Sequence, residues 1–151
     1  MQVKPNADGT ITLHQQAYIE KLANTYLGDG FNRVKHKNPA SSDLPSLVEA
    51  ALSATEPIDP ERTKSYQSLV GAILYCSIST RPDISYATGM LCRAMSKPTP
   101  ELFAAAERVL LYLEGTKELG ITFDAGDAQS IKLSGMSDSD WATQHLSLIH
   151  I

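Results

Sequence analysis

Cysteine and net positive charge are both scarce in this chain, and each shortage closes off a class of protein. There are two cysteines, Cys76 and Cys92, and one tryptophan in 151 residues. Two thiols at helical positions make no disulfide scaffold, and they have no metal spacing with His14, His36, His145 or His150. They read as small core residues in a reducing, intracellular setting. The formal net charge is −4, so the overall basic footprint of a free-standing nucleic-acid binder is missing. The sequence shows no charged-then-apolar leader and no apolar run approaching about 18 residues, which argues against secretion and membrane insertion.

What is present is an ordinary globular composition, 42% hydrophobic, enough to build a core in one domain or two small pieces. Charge is spread unevenly. Arg33, Lys35 and Lys37 flank His36 in a short basic run, whereas residues 41 to 61 carry Asp43, Glu49, Glu56, Asp59 and Glu61 with no lysine or arginine.

Residues 9 to 13 predict a short strand after an Asn-Ala-Asp-Gly turn. Tyr18, Ile19, Leu22, Ala23 and Tyr26 recur at helical spacing, and Gly28 is placed to end that helix. Residues 29 to 58 lack a sustained period and are expected to form a loose, flexible connector, with one helical turn around residues 46 to 52. A helix is expected to start at Asp59-Pro60-Glu61, where a side-chain cap, a proline suited to the first position and an acidic first turn coincide. Tyr66, Leu69, Val70, Ile73 and Leu74 supply its apolar stripe, and Gly71 and Ala72 are expected to let a neighbour approach closely. Arg81 precedes Pro82 and is pushed from helical angles, so the helix should break near Ser79. Thr80 and Asp83 are spaced like a capping box for a third helix, with Ile84, Ala87, Thr88, Leu91 and Met95 inward. Thr99-Pro100 opens a fourth, with Phe103, Ala106, Val109, Leu110 and Leu113 inward and Gly115 at its end. Ile121 and Phe123, a turn at residues 124 to 127, and Ile131 and Leu133 then alternate as a β-hairpin.

Four patterns follow one another through residues 65 to 141: Tyr-x-x-Leu-Val-Gly, Thr-Arg-Pro-Asp-Ile, Ala-Ala-x-Arg-Val-Leu-x-Tyr-Leu-x-Gly-Thr and Ser-Asp-x-Asp-Trp-Ala. Their order resembles the copia-type LTR-retrotransposon polyprotein, where the reverse transcriptase thumb and connection run into RNase H. GTITLHQQAYIEKL is similar to the hairpin strand and helix that follow the palm in that family, so the likeness runs from about Gly9 to Ala142. It implies an α+β, predominantly α fragment. Residues 1–28 would be the strand–helix lead-in at the end of the palm, 29–58 the connector, and 59–118 a three-helix antiparallel thumb or connection bundle. Residues 119–145 would be the start of a truncated RNase H-like domain. Residues 146–151, Leu-Ser-Leu-Ile-His-Ile, match one translation of a sequencing-library adaptor and are expected to be a non-native tail; a genuine short strand is the alternative.

For the parent, the resemblance implies an RNA-directed DNA polymerase with RNase H. It would use Mg2+ on an RNA template and its RNA–DNA hybrid, in a cytoplasmic virus-like particle or the nucleus. The family's polymerase carboxylates sit on a Tyr-x-Asp-Asp hairpin, and no tyrosine here is followed by that pair. The chain alone is therefore expected to be inactive and to need no cofactor. Asp138 occupies the place of the first RNase H carboxylate, which makes it catalytic and metal-binding in an intact domain, with Asp140 on the same strand face. From the residues alone both read first as ordinary turn aspartates that end a strand, because a hard cation needs several oxygens from separate segments. Arg81, Arg93 and Lys97 are candidates for nucleic-acid contact. Residues 60 to 120 hold seven Lys or Arg against six Asp or Glu, so the local field is weak. Solvated helix faces, and a buried structural Arg81–Asp83 pair, are the competing readings. A non-catalytic helical interaction module, or the product of a decayed pseudogene, is the alternative for the whole chain.

Overall fold

The computed structural model describes residues 1–28, 36–55 and 59–124. Its first element is a hairpin, β1 (Gln2–Pro5) against β2 (Ile11–His14), whose turn is held by its own polar side chains. Asp8 Oδ1 accepts from the Thr10 amide at 3.0 Å and its hydroxyl at 2.8 Å, and Asn6 Nδ2 donates to Thr10 Oγ1 and Thr12 Oγ1. Gly9 closes the turn at φ +87°, a left-handed angle that glycine adopts without a Cβ clash.

Helix α1 (Gln16–Tyr26) buries Ile19, Leu22 and Ala23, and Gly28 follows its last turn at φ +64° as the expected terminator. The connector departs from expectation. Where one turn is predicted, α2 (Leu44–Ser53) runs for ten residues and buries Leu44, Val48 and Ala51 against the later helices at Ser85–Arg93 and Pro100–Gly115. Those three positions keep the helical period through a stretch that looks broken, because Pro45 sits in the first turn, where its missing N–H costs nothing.

Helix α3 (Pro60–Ser79) begins as the sequence implies: Asp59 Oδ1 accepts from the Glu61 and Arg62 amides at 3.0 and 3.3 Å. Tyr66, Leu69, Val70 and Ile73 are buried, but Leu74 is 36% exposed and gives way to Cys76 and Ser77. At 3.6 residues per turn the stripe after Ile73 resumes at 76 and 77, so 74 falls outside it. Gly71 faces open space and makes no close approach; a Cβ there would meet nothing within 4 Å.

A short 3-10 turn, Pro82–Ile84, leads into α4 (Ser85–Arg93), which buries Ala87, Thr88, Met90 and Leu91. The expected capping box does not form. Thr80 turns its hydroxyl to Gln15 and Asp83 is taken by Arg81, so neither caps α4. Helix α5 (Pro100–Gly115) starts on Thr99, whose Oγ1 accepts from the Leu102 amide at 3.3 Å. It packs against each of α1, α2, α3 and α4, and the five helices among the described residues share one hydrophobic core. Truncating a fully buried residue at its centre, such as Leu110, should cost about 2–5 kcal/mol.

Strand β3 (Gly120–Phe123) forms where a strand is expected. It pairs antiparallel with β2, in the order β1-β2-β3, and so extends the sheet begun at the N-terminus. Its expected hairpin partner, Ile131 with Leu133, lies outside the described residues. Gly120 stands opposite His14, and a Cβ there would collide with the Leu13 carbonyl oxygen. The fold is thus α+β, mostly helical with a small three-stranded antiparallel sheet. No described helix is long and apolar enough to cross a membrane.

Candidate functional site

The Thr-Arg-Pro-Asp corner ends α3 because Arg81, at φ −126° and ψ 64°, cannot continue a helix into Pro82. The Thr80 and Arg81 amides both donate to the Cys76 carbonyl, at 3.1 and 3.0 Å. That geometry turns the Arg81 side chain inward, where it is 1% exposed. Its Nε donates to Asp83 Oδ1 at 2.9 Å and one Nη to Oδ2 at 2.7 Å, a two-pronged grip on the carboxylate. The same nitrogen reaches Thr116 Oγ1 at 2.6 Å, and the other Nη donates to the Thr116 carbonyl at 2.9 Å. The guanidinium carbon lies 5.5 Å from the centre of the Tyr112 ring, and the Tyr112 hydroxyl donates to Asp83 Oδ2 at 2.9 Å. Four residues thereby bind the α3–α4 corner to the last turn of α5.

Burial alone would raise the Asp83 pKa, but hydrogen bonds from Arg81, its charge and the Tyr112 hydroxyl outweigh that and hold the carboxyl below its ordinary value. Tyr112 is pushed the other way, first by burial and then by its bond to Asp83. With its guanidinium spent inside the fold, Arg81 takes the structural role among the readings open for it.

Lys97 is also engaged internally. Its Nζ donates to the carbonyls of Leu52 and Ala54, at 2.9 and 3.1 Å, and so caps the C-terminal end of α2, where a cation also suits the helix dipole. Arg93 sits half-buried in the last turn of α4, its Nη1 3.7 Å from Met90 Sδ. Asp138 and Asp140 lie outside the described residues, as do Arg33 and Lys35. Among the described residues no three His, Cys, Asp or Glu side chains gather closely enough to hold a metal ion, so none is assigned to Mg2+. Cys76 is buried, with its thiol pushed up to about 11 by desolvation, and Cys92 is half-buried and also raised. Both therefore behave as core thiols.

Two partners of the corner, Tyr112 and Thr116, carried no expected role. Both are polar, four residues apart on one helix face and within the third of the ordered motifs, but nothing in that spacing names the corner as their partner. Among the described residues, Lys64, Ser68, Gly71, Tyr75 and Ile78 are exposed along one side of α3, with Ser68 Oγ 2.8 Å from the Tyr26 hydroxyl and Tyr75 packed edge-on against Tyr18, ring centres 5.2 Å apart. A glycine inside an exposed helix costs roughly 0.5–1 kcal/mol relative to alanine, and nothing within 4 Å of its Cβ position explains Gly71.

No protein-family model matches the chain, and no solved structure matches it. It is 33% identical over 142 residues to the uncharacterized mitochondrial protein AtMg00810 of Arabidopsis thaliana, covering 94% of this chain and 54% of that protein. Over 77 residues it is 46% identical to the secreted RxLR effector protein 161 of Plasmopara viticola, covering 51% of this chain and 53% of the effector. Over 131 residues it is 37% identical to the retrovirus-related Pol polyprotein from transposon RE1 of Arabidopsis thaliana, covering 86% of this chain but 8% of that polyprotein. The chain spans about half the length of the first two proteins and a small part of the third. With its ordered motifs and this similarity along most of its length, the chain is a homologue of retrotransposon Pol polyproteins, aligned with one part of them.

Proposed function

We propose that this chain is the part of a copia-type Pol polyprotein that runs from the end of the reverse transcriptase, through its thumb and connection, into the start of RNase H. It guides the nucleic acid, while nucleotide addition is the work of the palm. The single observation that carries the guiding role is the solvent face of α3. A Cβ at Gly71 would meet nothing within 4 Å, so between Ser68 and Tyr75, which Tyr26 and Tyr18 of α1 contact, the helix keeps a bare patch that a sugar–phosphate backbone can approach. One lysine and neighbouring hydroxyls make such contact weak and salt-sensitive, in keeping with the net charge of −4.

The test is fluorescence anisotropy of a labelled RNA–DNA hybrid with the purified chain, at low and at physiological salt. Weak binding that fades with salt is expected. Gly71→Leu, which fills the open face without touching the core, should weaken it about tenfold, or roughly 1.4 kcal/mol. Absence of binding at low salt, or equal affinity for Gly71→Leu, would overturn the guiding role.

In the parent enzyme, Asp138 would be the first RNase H carboxylate and would provide one ligand to Mg2+, which would supply a metal-activated water for hybrid cleavage. A second reading, a helical interaction module with no catalytic parent, draws on Ile78 at 75% and Tyr86 at 61% exposure. Hybrid binding indifferent to Gly71, together with a protein complex lost on Ile78→Asp, would favour it.

A further inference from the structure

We draw no further inference here: the strongest candidate, the apolar face of the three-stranded sheet on which the register aligns Val3, Pro5, Ile11, Leu13, Ile121 and Phe123, is largely exposed among the described residues, and nothing in the structure shows what covers it.

Discussion

Arg81 grips both carboxylate oxygens of Asp83, at 2.9 and 2.7 Å, across the single proline that separates them. Pro82 sets the backbone so that two residues that are neighbours in sequence face each other, and Thr116 fastens the pair to α5. The arrangement converts a local turn into a tertiary contact.

Removing either partner should therefore cost more than a surface ion pair would. Arg81→Met and Asp83→Ala should each lower the unfolding free energy by about 1–3 kcal/mol; buried pairs reach 3–5 kcal/mol, and the 36% exposure of Asp83 reduces that. The double variant should lose less than the sum, because the second change removes an already orphaned group. Urea unfolding of the four proteins measures the coupling, and strict additivity would show that the pair is energetically idle.

The same pair sets an acid limit. The folded Asp83 carboxyl titrates below its unfolded value near 3.9, so its stabilisation is complete above roughly pH 5 and is lost as pH falls through the lower folded value. Tyr112 works in the opposite sense: its raised folded pKa gives stability present below about pH 10 and lost at higher pH. Unfolding free energy measured across pH should fall at both ends. Asp83→Asn should reduce the acid limb in part, beside the other lowered carboxyls, and Tyr112→Phe the alkaline limb in part, beside Tyr66 and Cys76.

Two glycines should respond oppositely to alanine. Gly71→Ala adds a methyl in open space on a helix, so it should stabilise by roughly 0.5–1 kcal/mol. Gly120→Ala drives a methyl into the Leu13 carbonyl and should break the β2–β3 pairing. Hydrogen exchange should then lose protection in Ile11–His14 and Gly120–Phe123 while the helical circular dichroism persists. Retained protection would mean the strands can shift to admit the Cβ.

The reading of Asp138 is tested where its partners are present. The 151-residue chain should extend no primer on an RNA template. In a polyprotein that contains the whole RNase H region, Asp138→Asn should abolish hybrid cleavage and spare polymerisation, with Asp140→Asn milder. Tolerance of Asp138→Asn with loss on Asp140→Asn would move the register by two residues. Indifference to both would remove the RNase H assignment.

Local chemistry was legible in the sequence wherever one or two residues decide the outcome. Asp59 and Thr99 cap their helices as their positions require, Arg81 before Pro82 ends α3, and Gly28 follows α1 at a left-handed angle. The order of four motifs likewise pointed to retrotransposon Pol proteins, because linear order survives where fold-level signals are weak. Tertiary structure decided everything that depends on partners distant in the chain. It chose β2, more than a hundred residues upstream, as the partner of β3, since a strand's alternation specifies a face but not a neighbour. It folded α2 onto α4 and α5, because a ten-residue helix of modest propensity is held mainly by the surface it buries. And it turned Arg81 inward, a choice made by Tyr112 and Thr116 on another helix, whose distance from the corner no local pattern encodes.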